Sequence, residues 1–249
     1  MDVKVVVLVS ATSEWRALVE LWPAPSRQPS PLGEWFVLPD AAAGPGVVAF
    51  HGGWGKIAAA ASTQYAIDRF APELLVNLGT CGGLTGDVER GEVLLADETL
   101  VYDIVERMTD PDEAIAAFTT RIDLSWLGPP PWPAPARRAR LVSADCDIAP
   151  AQVAVLRQRF AAVAADWESG AIAWTAARSG VPCLILRAVS DLVDEAAGEV
   201  YDDYAEFECR SRAVMEALCT ALPAWLAAWE RRPPGWRPGP GLPEAAAMA

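Results

Sequence analysis

The sequence predicts a single α/β domain on a parallel sheet, from three observations. At 249 residues the chain is long enough to bury one large core, and one domain accounts for it better than two. Short apolar runs alternate with alanine-rich or amphipathic stretches, the pattern of repeated strand–helix units. Residues 181–186 form an unbroken apolar run suited to a strand buried on both faces, and it breaks abruptly into Arg187, Ser190 and Asp191. Ligands of open α/β sheets bind outside the carboxyl ends of the strands, so these polar groups stand where chemistry is expected. Equally, a strand end with an aspartate starting the next helix explains them.

Residues 3–9 read as the first strand and 10–14 as the turn after it. Ser13 is the expected N-cap of a helix through Trp15, Leu18 and Leu21. Glu14 then falls in the first turn, where a carboxylate is stabilised by the helix dipole whatever else it does. The Pro/Gly-rich stretch 23–46 holds an edge strand near 35–38, and 47–50 is a further short strand ending at His51. Gly52-Gly-Trp-Gly-Lys56 then turns into a helix from 57 to about 70, rich in alanine and able to pack closely. Residues 74–76 are a strand, followed by the glycine-rich turn Asn77-Leu-Gly-Thr-Cys-Gly-Gly83. That turn lacks the dinucleotide glycine spacing and the P-loop lysine.

Strand 93–96 precedes a stretch, 107–136, with four prolines between Pro129 and Pro133 and with Trp126 and Trp132. It reads as an inserted loop, either a lid or contact surface or a segment stapled down by its aromatic anchors. Strand 140–143 ends at Ala-Asp-Cys-Asp147, and a helix spans 150–160. After a short strand or turn at 161–165, Asp166-Trp-Glu168 opens an alanine-rich helix over 169–178. One of these two carboxylates has a capping role; the other has no evident structural one. A helix from about 204 to 229 carries Phe207, Val214, Leu218 and Leu222 along one stripe. The domain therefore spans 1–230, and the Pro/Gly-rich tail 231–249 is expected to lack regular structure and to be disordered.

The formal charge, 20 − 33 = −13, repels nucleic acid and anionic membranes, so neither is an expected partner. No apolar run approaches the length of a membrane span. Five scattered cysteines without a C-x-x-C pair argue for a reducing compartment, hence the cytoplasm, and against a disulfide framework. With His51 the only histidine, neither a metal site nor a cofactor is expected, and His51 itself is assigned a structural place at a strand end.

Four stretches stand in order: the N-terminal strand with Glu14, Gly-Trp-Gly-Lys56, Asn-Leu-Gly-Thr-Cys-Gly-Gly83, and Asp-Trp-Glu168 followed by Arg-Ala-Val-Ser-Asp191. Together they resemble the nucleoside phosphorylase and nucleosidase superfamily, most of all the 5′-methylthioadenosine/S-adenosylhomocysteine nucleosidases, over residues 3–225 apart from the insertion. The resemblance implies a single-domain three-layer αβα fold with a central mixed, mostly parallel sheet, no cofactor, and a homodimer acting on a small nucleoside. It implies that Asp191 protonates the leaving base, and that Glu14 activates water with help from Arg187 and Thr80. Glu168 would hold the ribose hydroxyls and Trp167 pack on the sugar, with Gly82, Ser190, Asp147 and Asp166 completing the substrate site. Those roles suit the chemistry, because breaking a ribosyl bond builds positive charge that carboxylates stabilise. Three positions depart from the family. Glu14 is three residues after Ala11 instead of four, Asp147 replaces an aromatic residue that stacks on the base, and Trp167 replaces a methionine. Hydrolysis is the leading expectation. Phosphorolysis needs cationic donors, and the turns near the site offer mainly Arg16 and Lys56. A non-catalytic nucleoside sensor, signalling through the tryptophan-rich loop, is the third reading.

Overall fold

The computed structural model describes residues 3–23 and 26–239. Its strands are β1 (Val5–Val9), β2 (Gln28–Ser30), β3 (Gly33–Val37), β4 (Val47–His51), β5 (Leu74–Leu84), β6 (Val93–Val101), β7 (Thr119–Arg121), β8 (Arg137–Ser143), β9 (Ala164–Asp166) and β10 (Cys183–Val193). The helices are α1 (Thr12–Leu21), α2 (Asp40–Ala43), α3 (Lys56–Phe70), α4 (Pro111–Ala117), α5 (Val153–Phe160), α6 (Ser169–Arg178) and α7 (Tyr204–Glu230). All ten strands share one sheet.

The β-branched run of β1 is buried at every residue, so both faces of the sheet are covered here. Helices α1, α2 and α7 pack together as one group, and α3 packs on α6 as another. β5 lies between β1 and β10, both parallel to it, and β1 leads outward through β4, β3 and β2. On its other side the sheet curls. β10 pairs with β6, β6 with β8, β8 with β9, and β9 returns to β5, closing a five-stranded ring. This closure corrects the simple layered picture. Five of the pairings are parallel and five antiparallel, so the expected mixed sheet is not mostly parallel by pairings, although the longest pairing, β5–β10, is.

Length is the second correction. β5 and β10 run for 11 residues each. The glycine-rich stretch 77–83 is therefore strand and not turn, and Arg187, Ser190 and Asp191 lie inside a strand instead of beyond its end. Glycine is needed there for closeness: a Cβ on Gly83 would sit 2.8 Å from Val189 Cγ1. Ser13 is not the cap of α1, which already begins at Thr12; the Ala11 N–H is taken by Glu14 Oε2 at 3.1 Å instead. His51 ends β4 as expected and stacks on Trp15 at 5.2 Å, and burial pushes its imidazole pKa down.

The 107–136 insertion contains α4, β7 and a short 3₁₀ turn, and β7 pairs with β6. Asp110 caps α4 by accepting from the Asp112 N–H at 2.8 Å, with Pro111 at the first helical position. Trp126 meets Trp229 of α7 edge-on at 5.1 Å, which staples the loop to the body. As far as it is described the tail has no helix or strand, as expected, and is mostly exposed, but it makes specific contacts with the body. Trp236 lies edge-on to Trp229 at 5.6 Å and donates to Ser125 Oγ at 2.9 Å, and the Gly239 N–H donates to Asp123 at 2.8 Å. Proline and glycine forbid regular structure there, but one indole supplies the anchor. Residues 240–249 lie outside the described residues. Among the described residues no helix is long and apolar enough to cross a membrane.

Candidate active site

The ten residues singled out from the sequence come together around one cleft of about 690 Å³. Glu14, Thr80, Gly82, Asp147, Asp166, Trp167, Glu168, Arg187, Ser190 and Asp191 all line it. They arrive from the start of α1, the second half of β5, the middle and later part of β10, the end of β9, and the segments after β8 and before α6. No residue of 107–136 lines the cleft, so the insertion is no lid over it in this structure.

Glu14 is 1% exposed. Its Oε1 accepts from the Thr80 N–H at 2.6 Å and the Thr80 hydroxyl at 2.8 Å, and Oε2 from the Ala11 N–H. A carboxylate offers about four lone-pair positions, so one remains on Oε2 for a water. Gly79 is the residue that makes this arrangement possible, and the sequence reading missed its role. A Cβ there would overlap Arg187 Nη1 and lie 2.9 Å from Glu14 Oε1.

Arg187 is the only lysine or arginine among the described residues lining the cleft. Its Nε lies 2.9 Å from Asp166 Oδ2 and donates to Ser169 Oγ at 3.0 Å. Nη1 donates to the Thr80 carbonyl at 3.1 Å and lies 3.8 Å from Glu14 Oε1, while Nη2 donates to Glu168 Oε2 at 3.3 Å. Burial disfavours the charged guanidinium, but the three carboxylates around it outweigh that and raise its pKa.

Glu168 takes the Gly55 N–H at 3.0 Å on Oε1. Burial pushes its pKa up to about 7, with Asp166 and Glu14 adding to the rise and Arg187 opposing it. Trp167 faces Trp54 with ring centroids 4.7 Å apart. Trp54 is 61% exposed and forms the rim; the Gly-Trp-Gly motif carried that signal, but the sequence reading gave it no role.

Asp191 owes its position to a β-bulge. The register of β10 on β5 shifts between Val189 and Asp191, leaving Ser190 as the extra residue. Strict alternation would put Asp191 on the Arg187 side of the strand; the bulge turns it to the Gly82 side. There it lies away from the guanidinium that would hold it ionised. Burial raises the Asp191 pKa, opposed by the Ser190 hydroxyl, which donates to Oδ1 at 2.5 Å. Oδ2 has no hydrogen-bond partner among the described residues and faces the cleft. Asp147 is exposed at this end, near Tyr201, whose hydroxyl donates to the Ile148 carbonyl at 2.6 Å. Tyr201 lines the cleft, and no sequence signal marked it.

Neither cation considered for phosphate is available. Lys56 is bonded to Asp103 and lies 3.4 Å from Asp145, and Arg16 pairs with Glu208 at 3.1 Å on the surface; neither lines the cleft. The described residues contain no cluster of histidine, cysteine and carboxylate groups able to hold a metal ion. The arrangement thus sets a buried carboxyl with a raised pKa, Asp191, and two hydrogen-bonded carboxylates, Glu14 and Glu168, around one cleft.

A sequence model of the phosphorylase superfamily matches residues 6–153 and 142–223. A 5′-methylthioadenosine/S-adenosylhomocysteine nucleosidase of Staphylococcus saprophyticus is 30% identical over 178 residues, 64% of this chain and 75% of that protein. The nucleosidase of that name from Tolumonas auensis is 26% identical over 70% of this chain and 80% of its own. Among solved structures, the futalosine hydrolase of Helicobacter pylori superposes with a TM-score of 0.74 at 18% identity, covering 91% of this chain and 98% of that one. The S. pneumoniae methylthioadenosine/adenosylhomocysteine nucleosidase, bound to a transition-state inhibitor, gives 0.71 at 20% identity, covering 91% and 99%.

Proposed function

Because the chain belongs to the phosphorylase superfamily, we propose that its cleft hydrolyses the N-glycosidic bond of a purine nucleoside, releasing the free base and a ribose derivative. It is an N-glycosidase of the 5′-methylthioadenosine/S-adenosylhomocysteine nucleosidase kind. The observation that carries hydrolysis over phosphorolysis is the charge of the cleft. Its one lysine or arginine among the described residues, Arg187, is already shared among Asp166, Glu168 and Glu14, which leaves no free cationic donor there for a phosphate.

The reaction breaks the bond between the base nitrogen and the anomeric carbon. Asp191, whose pKa burial raises in favour of the acid form, gives its proton to the base so that a neutral purine leaves. Positive charge grows on the sugar and is stabilised by Glu14 and Glu168 across the ring. Water held by Glu14 adds to the anomeric carbon, and its proton passes to Glu14. Glu168 accepts hydrogen bonds from the ribose hydroxyls, and Trp167 with Trp54 covers the sugar from the rim. Thr80 and Gly82 shape the wall between, and Asp147 stands at the base end without an ion-pair partner among the described residues, in place of a stacking ring. Five unpaired cysteines support a cytoplasmic setting. Val105 and Met108, 72% and 92% exposed, support burial against a second copy in a homodimer.

Incubation with 5′-methylthioadenosine in phosphate-free buffer should release adenine at a rate unchanged by added phosphate, with a free sugar as co-product. Strict dependence on phosphate and formation of a sugar 1-phosphate would reject hydrolysis in favour of phosphorolysis. Tight binding without release of base across a panel of nucleosides would favour the sensor reading instead.

A further inference from the structure

We propose that Asp166 is a positioning residue: it pins the Arg187 guanidinium by its Nε end, so that the two Nη groups face Glu14 and Glu168 across the cleft. The sequence reading gave Asp166 a substrate contact. The geometry leaves it no means to make one. Oδ1 accepts from Ser143 Oγ at 2.6 Å, the Ser169 N–H at 3.1 Å and the Glu168 N–H at 3.2 Å. Oδ2 accepts from the Ser169 hydroxyl and lies 2.9 Å from Arg187 Nε. Four hydrogen bonds, from Ser143, the Glu168 N–H and the N–H and hydroxyl of Ser169, together with the ion pair to Arg187 Nε, occupy the roughly four lone-pair positions of the carboxylate, so no acceptor is left for a sugar hydroxyl. Ser143 is itself fixed by the Gly170 N–H at 2.8 Å, which ties the clamp to the first turn of α6.

The consequence is electrostatic. Arg187 is the single cation among several buried carboxylates, and Asp166 is its nearest counter-ion. Without that anchor the guanidinium would be drawn onto Glu168 and Glu14, the groups whose free charge the reaction needs. Held by Nε, it orients both without neutralising either. The negative charge of Asp166 also contributes to the raised pKa of Glu168.

The kinetic arm of the test rests on the nucleosidase reading; the spectroscopic arm does not. Asp166→Asn keeps the shape and removes the charge. It should lower kcat about 10- to 100-fold with KM within about threefold of wild type, as expected for loss of one charge-assisted bond outside the substrate contact. The pH below which KM rises should move down, because Glu168 loses a like-charged neighbour. In nucleoside-free ¹⁵N-labelled protein, the Arg187 Nε–H resonance, assigned by its absence in Arg187→Lys, should be slowly exchanging in wild type. It should become fast-exchanging in Asp166→Asn. Ser143→Ala retains the charge and loses one hydrogen bond, so it should move the same signal less and in the same direction; it decides the matter if the first variant does not fold. A rise in KM with kcat unchanged would mean direct sugar contact and overturn the proposal, as would an unmoved Nε–H signal. If wild type releases no base, the functional reading fails, and the Nε–H signal still decides the role of Asp166.

Discussion

Asp191→Asn should abolish base release while leaving nucleoside binding near wild type. The amide keeps the shape of the side chain and its bond with Ser190, but carries no transferable proton. Positioned general acids contribute about 10²–10⁴ in rate, so kcat should fall by that range with KM changed by no more than a few-fold. The pH dependence makes the expectation sharper. A raised carboxyl pKa means that the acid form persists to higher pH than for an ordinary aspartate, and activity should decline as pH rises through that value. In Asp191→Asn this alkaline limb should vanish together with the activity. The same sign governs stability: burial of this group favours the folded state while it is protonated, and that contribution is lost as pH rises through the raised pKa. Near-normal turnover in the variant would reduce Asp191 to a strand residue with no chemical task.

Glu14→Gln should be nearly as severe. The carboxylate is held by three donors, two from Thr80 and one from the Ala11 N–H. A glutamine has only one acceptor oxygen. If that oxygen faces Thr80, the amide NH₂ opposes the Ala11 N–H, and a part-buried donor is left unpaired at a cost of about 1 kcal/mol. A drop in thermal stability should therefore accompany a loss of about 10²–10⁴ in kcat, since the attacking water has lost its proton acceptor. Calorimetry and steady-state kinetics on one preparation would separate the two effects. A variant as stable and as active as wild type would show that the water is held elsewhere.

Much of this site was legible because its chemistry is concentrated in short runs. Asp166-Trp-Glu168 and Arg187-Ala-Val-Ser-Asp191 place charged groups directly after apolar stretches, and no packing argument accounts for all of them. What the sequence hid depends on long-range pairing. The ring formed by β10, β6, β8, β9 and β5 arises from strands far apart in the chain, and apolar runs cannot reveal closure. The bulge at Ser190, which separates Asp191 from Arg187, is a single extra residue visible only in the register. Glycines at 79, 82 and 83 read as a turn because glycine usually marks one. Here they permit Arg187, Ile148 and Val189 to approach a strand closely. Asp166 reads as a substrate contact because it shares a short motif with Trp167 and Glu168, and only the structure shows its oxygens taken up by Ser143, Ser169 and the Glu168 N–H. Trp236 held a proline-rich tail in place against the expectation from composition, since one indole against Trp229 suffices where regular structure cannot form.

Hydrolysis in H₂¹⁸O probes the water-attack step without reference to any variant. With 5′-methylthioadenosine as substrate and phosphate absent, mass spectrometry should find one ¹⁸O atom on the anomeric carbon of the released sugar and none in the adenine. An unlabelled sugar, or base release only when phosphate is supplied, would contradict attack by a water held between Glu14 and the ring.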